Sequence, residues 1–261
     1  MPRPYHAKPF CVGAGHAQPS IIMMRMDSGL LGIAAGAAAA SGFMAYAVRG
    51  RSSSVFGESY YHGDRDKPAL ALTFDDGPSE STPKLLDALD KHQVPATFFM
   101  CGENVRRCPD VAREVAARGH ELGNHTDSHP RLDFKSPRFI YGEMARAQET
   151  IQQTTGAKPR WFRAPYGVRW FGVAQAQELL GLRGVMWTVI GRDWRWPAAR
   201  VSELLSNNAS NGGIICLHDG RGVRPAPDIG ATIEAVEYTI PRLQERGFQF
   251  LTLTQILCPQ N

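Results

Sequence analysis

Dense basic segments, paired cysteines and short internal repeats are all missing from this sequence. Its 29 Lys and Arg residues exceed its 25 Asp and Glu residues by only four and are spread over 261 positions, so nucleic-acid binding is not expected. The five cysteines show no metal-binding spacing, and their odd number allows one disulfide bridge or none, with Cys101 and Cys108 as the nearest pair. We therefore assign the cysteines no chemistry.

Apolar runs alternate with amphipathic segments from Pro68 onward, and 43% of all residues are hydrophobic, which is enough for one sizeable core. The candidate strands are Ala69 to Phe74, Ala96 to Met100, Glu121 to Asn124, Trp161 to Arg163, Gly184 to Val189, Gly213 to Leu217 and Phe248 to Thr252. The candidate helices are Thr82 to His92, Pro109 to Arg118, Pro137 to Thr155, Val173 to Leu180, Val201 to Ala209 and Ile229 to Arg246. This alternation predicts an α/β fold with a parallel sheet covered by helices.

Two adjacent aspartates, Asp75 and Asp76, follow the first apolar run and precede Gly77 and Pro78. The run alternates like a buried strand, so both carboxylates are expected at the C-terminal end of the strand, where parallel α/β proteins carry their chemistry. Taken alone, such an Asp-Asp-Gly sequence is more often a simple turn.

Two histidines, His125 and His129, are four residues apart, a spacing that places both imidazoles on one face of a helical turn. A lone pair of this kind is more often a solvated helix face. Combined with one Asp, however, the two histidines would hold a divalent ion with an open position for water, as hydrolytic sites require. Such a ligand set suits one zinc ion, with cobalt, manganese and nickel as alternatives.

Three further polar segments lie where candidate strands end, which strengthens the case for a site. They are Arg163-Ala164-Pro165-Tyr166, Asp193-Trp194 and Leu217-His218-Asp219. Taken in order, the five segments resemble the polysaccharide deacetylase family (carbohydrate esterase family 4), which includes nodulation-type chitooligosaccharide deacetylases. The resemblance covers roughly Pro68 to Leu257. The set of segments is specific, although no single segment is.

The resemblance implies the residues that hold the metal and activate the nucleophile. Asp76, His125 and His129 would bind the ion. Asp75 would act as the general base that deprotonates the attacking water. Arg163 would orient that base through a charged hydrogen bond.

The resemblance also implies the residues on the leaving-group side. His218 would be the general acid and Asp193 would keep it cationic. The backbone N–H of Tyr166 would donate to the oxyanion. Trp194 and Leu217 would line the pocket for the acetyl group.

The fold that the resemblance implies is a distorted (β/α)7 barrel, with one catalytic domain over residues 68–261. Closure into a barrel also agrees with the site residues found at the ends of the candidate strands. One position departs from the family pattern: Ile190 lies three residues before Asp193, where the family often has another Asp. This chain therefore has no carboxylate at that position to play a role in the site.

The N-terminal 67 residues differ in character from the rest. Residues 1–29 are rich in Pro and Met without periodicity and are predicted to be disordered, with Met23, Met24 and Met26 as alternative starts. Residues 30–48 carry no charge and predict a transmembrane anchor or a cleaved export signal, with a buried Ala-rich helix as the third alternative. Residues 49–67 are predicted to be a polar linker.

Three functions are consistent with these features. The first is removal of N-acetyl groups from an envelope or extracellular glycan, such as peptidoglycan or a chitooligosaccharide. The second is hydrolysis of an O-acetyl ester or a small cyclic amide at the same site. The third is a glycan-binding module without activity, which Asp75 and His218 argue against, since a binder needs neither. We expect a monomer that is exported or membrane-anchored, with its catalytic domain in the periplasm or at the cell surface.

Overall fold

A curled parallel sheet surrounded by helices forms the part of the chain that the computed structural model describes, which is Met1 and residues 28–258. The predicted disordered region, residues 1–29, lies almost entirely outside this range, as does Cys11. The chain divides into two compact units, residues 1–41 and 42–261, and all the predicted site residues belong to the second.

The strands are β1 (Ala69–Gly77), β2 (Thr97–Met100), β3 (Glu121–Asn124), β4 (Trp161–Phe162), β5 (Arg183–Gly184), β6 (Val189–Ile190), β7 (Gly213–His218) and β8 (Gln249–Leu251). The helices are α1 (Ser28–Arg49), α2 (Thr82–Lys91), α3 (Gly102–Arg107), α4 (Pro109–Ala117), α5 (Pro137–Thr155), α6 (Val173–Leu180), α7 (Ala198–Asn208), α8 (Gly230–Glu245) and α9 (Leu253–Leu257). A short 3₁₀ turn spans Pro165–Gly167.

Strand β1 is the centre of the sheet, and all nine of its residues are buried. It pairs with β7 along one side, from Leu70 to Asp75. On its other side it pairs with β8 at its beginning and with β2 from Thr73 onward. An apolar strand that is buried on both faces is typical of a parallel sheet covered by helices.

Seven strands form a continuous path in the order β5-β4-β3-β2-β1-β7-β6, so β5 and β6 lie at its two edges. Only residues 185–188 separate these two edge strands in the chain, and this stretch can span at most ~18 Å. A flat seven-stranded sheet would hold its edges about 29 Å apart. The sheet must therefore curl, which confirms the predicted distorted barrel.

The candidate strand Gly184 to Val189 is in fact two short strands that pair with opposite edges. The Val185 N–H donates to Phe162 O of β4 at 2.9 Å, and the Thr188 N–H donates to Ile214 O of β7 at 2.9 Å. We call residues 183–190 the seam of the barrel. Sequence periodicity could not show the break, because it depends on hydrogen bonds to two distant strands.

Glycine follows two of the helices. Gly156 follows α5 and Gly181 follows α6, both in the left-handed conformation, with φ of 76° and 66°. Ser136 begins α5 by accepting a hydrogen bond from the Phe139 N–H. Helices α3 and α9, with six and five residues, are too short for the sequence pattern to predict.

Two segments precede β1. Residues 30–48, predicted to be an anchor, an export signal or a buried helix, lie within α1. In the described range, no helix is both long enough and apolar enough to cross a membrane. In the segment predicted to be a linker, the Tyr60 N–H donates to Gly184 O at 2.9 Å, and the Gly63 N–H donates to Gly212 O at 2.7 Å.

Candidate active site

The polar segments meet at the C-terminal ends of β1, β3, β4 and β7. The register of β1 with β7 places Asp75 directly beside His218. The chain after β3 carries His125 and His129, and the chain after β4 carries Arg163. Because all four strands are parallel, residues distant in sequence converge at one edge of the sheet.

Asp76 and the two histidines form a tight group. Asp76 Oδ1 lies 3.3 Å from His125 Nε2 and 2.9 Å from His129 Nε2. The predicted helical turn for the histidines is wrong, because residues 125–130 form a loop. Thr126 and His129 have φ of 68° and 57°, and these left-handed residues bend the loop until both rings point at Asp76.

The chemistry of this group fits a metal ion. His125 Nδ1 lies 2.7 Å from the Arg163 carbonyl, so this nitrogen carries the proton and Nε2 presents a lone pair. That lone pair faces Asp76 Oδ1, a buried oxygen without a hydrogen-bond partner. A cation between two acceptors that face each other would stabilise this arrangement.

The backbone around Asp76 is held by two residues that the sequence did not indicate. The Asn104 amide donates to Asp76 O at 2.6 Å and to Gly222 O at 2.9 Å. The Gly222 N–H donates to Asp76 Oδ2 at 2.8 Å. Neither residue belongs to a recognisable local motif, because each acts through the tertiary fold.

Asp75 forms a buried ion pair with Arg163. Arg163 is fully buried and donates from one nitrogen to Asp75 Oδ1 and to Thr73 Oγ1, each at 2.7 Å. Its guanidinium carbon lies 4.2 Å from the ring centre of Phe99. The thiol of Cys216 lies 3.5 Å from Asp75 Oδ2. Cys216 also remains protonated, because burial raises the pKa of its thiol.

His218 and Asp193 form the second pair. His218 Nδ1 lies 2.8 Å from Asp193 Oδ1, and the His218 N–H donates to Asp193 Oδ2 at 3.0 Å. Burial lowers the pKa of His218, but the charge of Asp193 outweighs it and raises the pKa to about 9. Asp193 also accepts from Thr232 Oγ1 at 2.6 Å, a contact that the sequence did not indicate.

Of the three residues assigned to substrate binding, two lie at the surface. Tyr166, with φ of 58°, is 56% exposed, and its ring centre lies 4.8 Å from that of His129. Trp194 is 48% exposed, with its ring 4.9 Å from that of His218.

The prediction for Leu217 needs correction. This residue is fully buried in the core between the sheet and the helices. Side chains alternate along a strand, so Leu217 points away from the face that carries Cys216 and His218. The structure therefore does not bring Leu217 to the surface of the site.

The cysteines do not form the bridge that their spacing allowed. Cys101, Cys108, Cys216 and Cys258, the four in the described part of the chain, all carry free thiols.

Comparisons with known proteins show which family this chain resembles. A family profile described as polysaccharide deacetylase matches residues 62–185. A chitooligosaccharide deacetylase from Bradyrhizobium sp. (strain ANU 289) is 39% identical over 197 residues, covering 72% of this chain and 90% of that protein.

Two solved structures are similar as well. The Bc1960 peptidoglycan N-acetylglucosamine deacetylase has a TM-score of 0.72 at 32% identity, over 76% of this chain and 92% of that chain. A mutant of BA3943, described as a CE4 family pseudoenzyme with restored enzymatic activity, has a TM-score of 0.70 at 28% identity, over 76% of this chain and 70% of that chain.

Proposed function

Because this chain belongs to the polysaccharide deacetylase family, we propose that it removes N-acetyl groups from an envelope or extracellular glycan of the peptidoglycan or chitooligosaccharide type. The observation that carries this proposal is the arrangement of Asp75 and His218. They lie side by side on β1 and β7, next to the metal-binding group, with one held by an arginine and the other by a carboxylate. This is the pairing that amide hydrolysis needs, since a base must act on water and an acid on the amine.

The roles of the residues follow from their hydrogen bonds. Asp76, His125 and His129 would hold the ion, which when bound supplies Lewis-acid activation of water and of the substrate carbonyl. Arg163 holds one oxygen of Asp75, and the carboxylate takes the proton of the attacking water. The N–H of Tyr166 would donate to the oxyanion, a contact worth about 3 kcal/mol in comparable sites.

His218 is proposed as the acid that protonates the leaving amine. Its Nδ1 is engaged by Asp193, so the proton it can give to substrate is the one on Nε2. The charge of Asp193 keeps this imidazole cationic near neutral pH, because the pKa of His218 is raised to about 9. Trp194 packs edge-on against the imidazole and would line the acetyl pocket.

The nature of the ion and the place of action belong to the same proposal. Two imidazoles and one carboxylate suit zinc, although cobalt, manganese and nickel bind similar ligands. A glycan of the cell envelope requires the catalytic domain to act outside the cytoplasm, in the periplasm or at the cell surface.

Substitutions can distinguish the proposed base from the proposed metal ligands. Asp75→Asn should keep one ion per chain and lose turnover by at least about 100-fold, because the amide cannot accept the proton of water. His125→Ala should lose both the ion and turnover, since it removes a ligand. Metal content per chain and acetate release from N-acetylated chitooligosaccharides and peptidoglycan measure these outcomes.

The same assay tests the alternatives. Acetate released from acetylated xylan but not from the N-acetylated glycans would favour an O-acetyl esterase. No release from any substrate with a full complement of metal would indicate a glycan-binding module. Full activity after exhaustive dialysis against a chelator would contradict the metal-dependent mechanism.

A further inference from the structure

The loop that carries the metal-binding histidines has a shape that costs free energy. Thr126 and His129 are both left-handed, with φ of 68° and 57°, and neither is a glycine. Each such residue costs roughly 1–2 kcal/mol in backbone strain. A loop of this kind keeps its shape only where surrounding groups hold it.

Glu143 of α5 makes a charged contact with the backbone of this loop. Its Oε2 accepts from the Asp127 N–H at 3.2 Å, the Ser128 N–H at 2.8 Å and Ser128 Oγ at 3.1 Å. Its other oxygen accepts from Arg146. The side chain of Glu143 is only 3% exposed, so these donors, and not water, compensate for the burial of the carboxylate.

Two arginines and several neutral groups hold the rest of the loop. Arg106 donates to Asp127 Oδ1 at 2.7 Å, and Arg146 donates to Asp127 Oδ2 at 3.1 Å. The Thr126 N–H donates to Asn124 Oδ1 at 3.0 Å. The Thr126 and Asp127 carbonyls accept from the Gly102 and Glu103 N–H groups at the start of α3, each at 3.0 Å. The two N–H groups at the apex, between the histidines, both point to Glu143. This carboxylate therefore holds the stretch of chain that joins the two histidines.

We propose that Glu143 is a positioning residue for the metal site, which arranges His125 and His129 before the ion binds. Glu143 contacts only the loop and Arg146, so it acts through the histidines. This inference rests on the proposed metal-dependent function. It adds a residue from a helix outside the barrel to the site.

Glu143→Gln tests the inference through zinc affinity, without reference to turnover. The amide keeps the size of the side chain but loses the charge that attracts two N–H groups and a hydroxyl. The metal-free protein is titrated with zinc in competition with a chromophoric chelator. The zinc Kd should rise about 10–100-fold, as is common when groups that orient metal ligands are removed.

Glu121→Gln provides a matched control at the opposite end of β3. Glu121 accepts from Trp161 Nε1 at 3.1 Å, Thr97 Oγ1 at 2.9 Å and the Thr254 N–H at 3.2 Å, but it makes no contact with the histidine loop. This control should lose thermal stability while its zinc Kd stays that of the wild type. An unchanged Kd in Glu143→Gln, or an equal rise in both variants, would overturn the inference.

Ser128→Ala keeps the inference testable if Glu143→Gln does not fold. It removes one of the three donors to Oε2 and leaves both backbone donors in place. Its zinc Kd should rise by about 2–10-fold, the equivalent of one hydrogen bond, and an unchanged value would again contradict the role of Glu143. If the wild-type protein itself binds no zinc or other divalent ion, the proposed function fails first, which is a distinct result.

Discussion

At the scale of the single residue, two opposing effects act on the pKa of His218. Burial disfavours its cationic form, whereas the carboxylate of Asp193 at 2.8 Å favours it, and the net result is a pKa of about 9. Asp193 remains charged, because its pKa is lowered by His218 against the effect of its own burial. An acid of this kind stays protonated through neutral pH and loses its proton only in alkaline solution.

Removal of the carboxylate should therefore change the pH profile. In Asp193→Asn, burial acts on His218 without its partner, so the pKa of His218 should fall toward its ordinary value of 6.5 or below it. The alkaline limb of kcat/KM should move to lower pH, and the maximum should fall about 10–100-fold. Metal content should not change. The measurement is kcat/KM from pH 5 to 10.

Thr232→Val is a matched control for this change. Thr232 donates to Asp193 Oδ2 at 2.6 Å but does not contact the imidazole. Because the Asp193 carboxylate keeps its charge beside His218 in this variant, the alkaline limb should not move to lower pH. A pH profile identical to the wild type in Asp193→Asn would show that His218 is not the acid or that Asp193 does not sustain it.

The sequence predicted the residues that meet at the site better than the residues that support them. Asp75 and His218 each follow an apolar run, and a polar residue at such a position can be recognised from the sequence alone. Asn104, Thr232 and Glu143 lie on helices with ordinary patterns. Their contacts depend on which helix packs over which strand, and that information is not local.

At the scale of elements, strands β2 and β3 pack a glycine against an aromatic ring. Gly123 pairs with Phe99 in register, and a Cβ on Gly123 would lie 2.5 Å from the Phe99 ring. The same ring lies beneath the guanidinium of Arg163. The absence of a side chain in β3 thus determines the position of the arginine that holds Asp75.

Gly123→Ala should disturb both stability and catalysis. The ring of Phe99 must move, which typically costs about 1–3 kcal/mol of unfolding free energy in a packed core. Displacement of Arg163 should lower kcat more than it raises KM. Chemical denaturation and steady-state kinetics measure the two effects.

Gly142→Ala is the matched control for this substitution. Gly142 lies in α5, where a Cβ would approach only the end of the flexible Arg146 side chain, at 3.1 Å. This change should be neutral or should stabilise the helix by up to about 1 kcal/mol. Equal stability and activity in the two variants would contradict the role assigned to the contact between Gly123 and Phe99.

The order and type of most helices and strands were predictable, because the spacing of apolar residues and the glycines at helix ends are local signals in the sequence. Gly156 and Gly181 mark helix ends in the sequence as they do in the structure. The histidine loop was mistaken for a helical turn because a spacing of four residues fits a helix. The two left-handed residues that bend it, Thr126 and His129, carry no such signal, since their conformation is imposed by contacts.

At the scale of the whole molecule, the chain around Val48 bears on the proposed location. Arg169 is buried; its backbone N–H donates to Val48 O at 3.1 Å, and its guanidinium donates to Ser53 O at 2.7 Å and to Gly50 O. Ordered packing of the second unit therefore includes the residues that follow Ala45-Tyr46-Ala47, a small-residue pattern at which an export signal would be cleaved. Processing at that point would leave these contacts intact.

Export can be tested on the full chain with a C-terminal tag. We expect the catalytic domain in an extracytoplasmic fraction, with a mature N terminus near Val48 if residues 30–48 act as a cleaved signal. Cell fractionation and N-terminal sequencing give the answer, and an intact chain in the membrane fraction would indicate an anchor. Full-length protein found only in the cytoplasm would refute the proposed location.

The seam of the barrel has a consequence for the order in which the enzyme assembles. Strand β5 pairs with β4 and strand β6 pairs with β7, so residues 183–190 can make both pairings only when β4 and β7 are near each other. Bringing these distant strands together costs loop-closure entropy. Closure of the barrel should therefore come late in folding. Asp193 follows the seam directly, whereas the metal-binding residues lie between positions 76 and 129. A folding chain should therefore be able to bind its metal ion before Asp193 is in place to support the acid, His218.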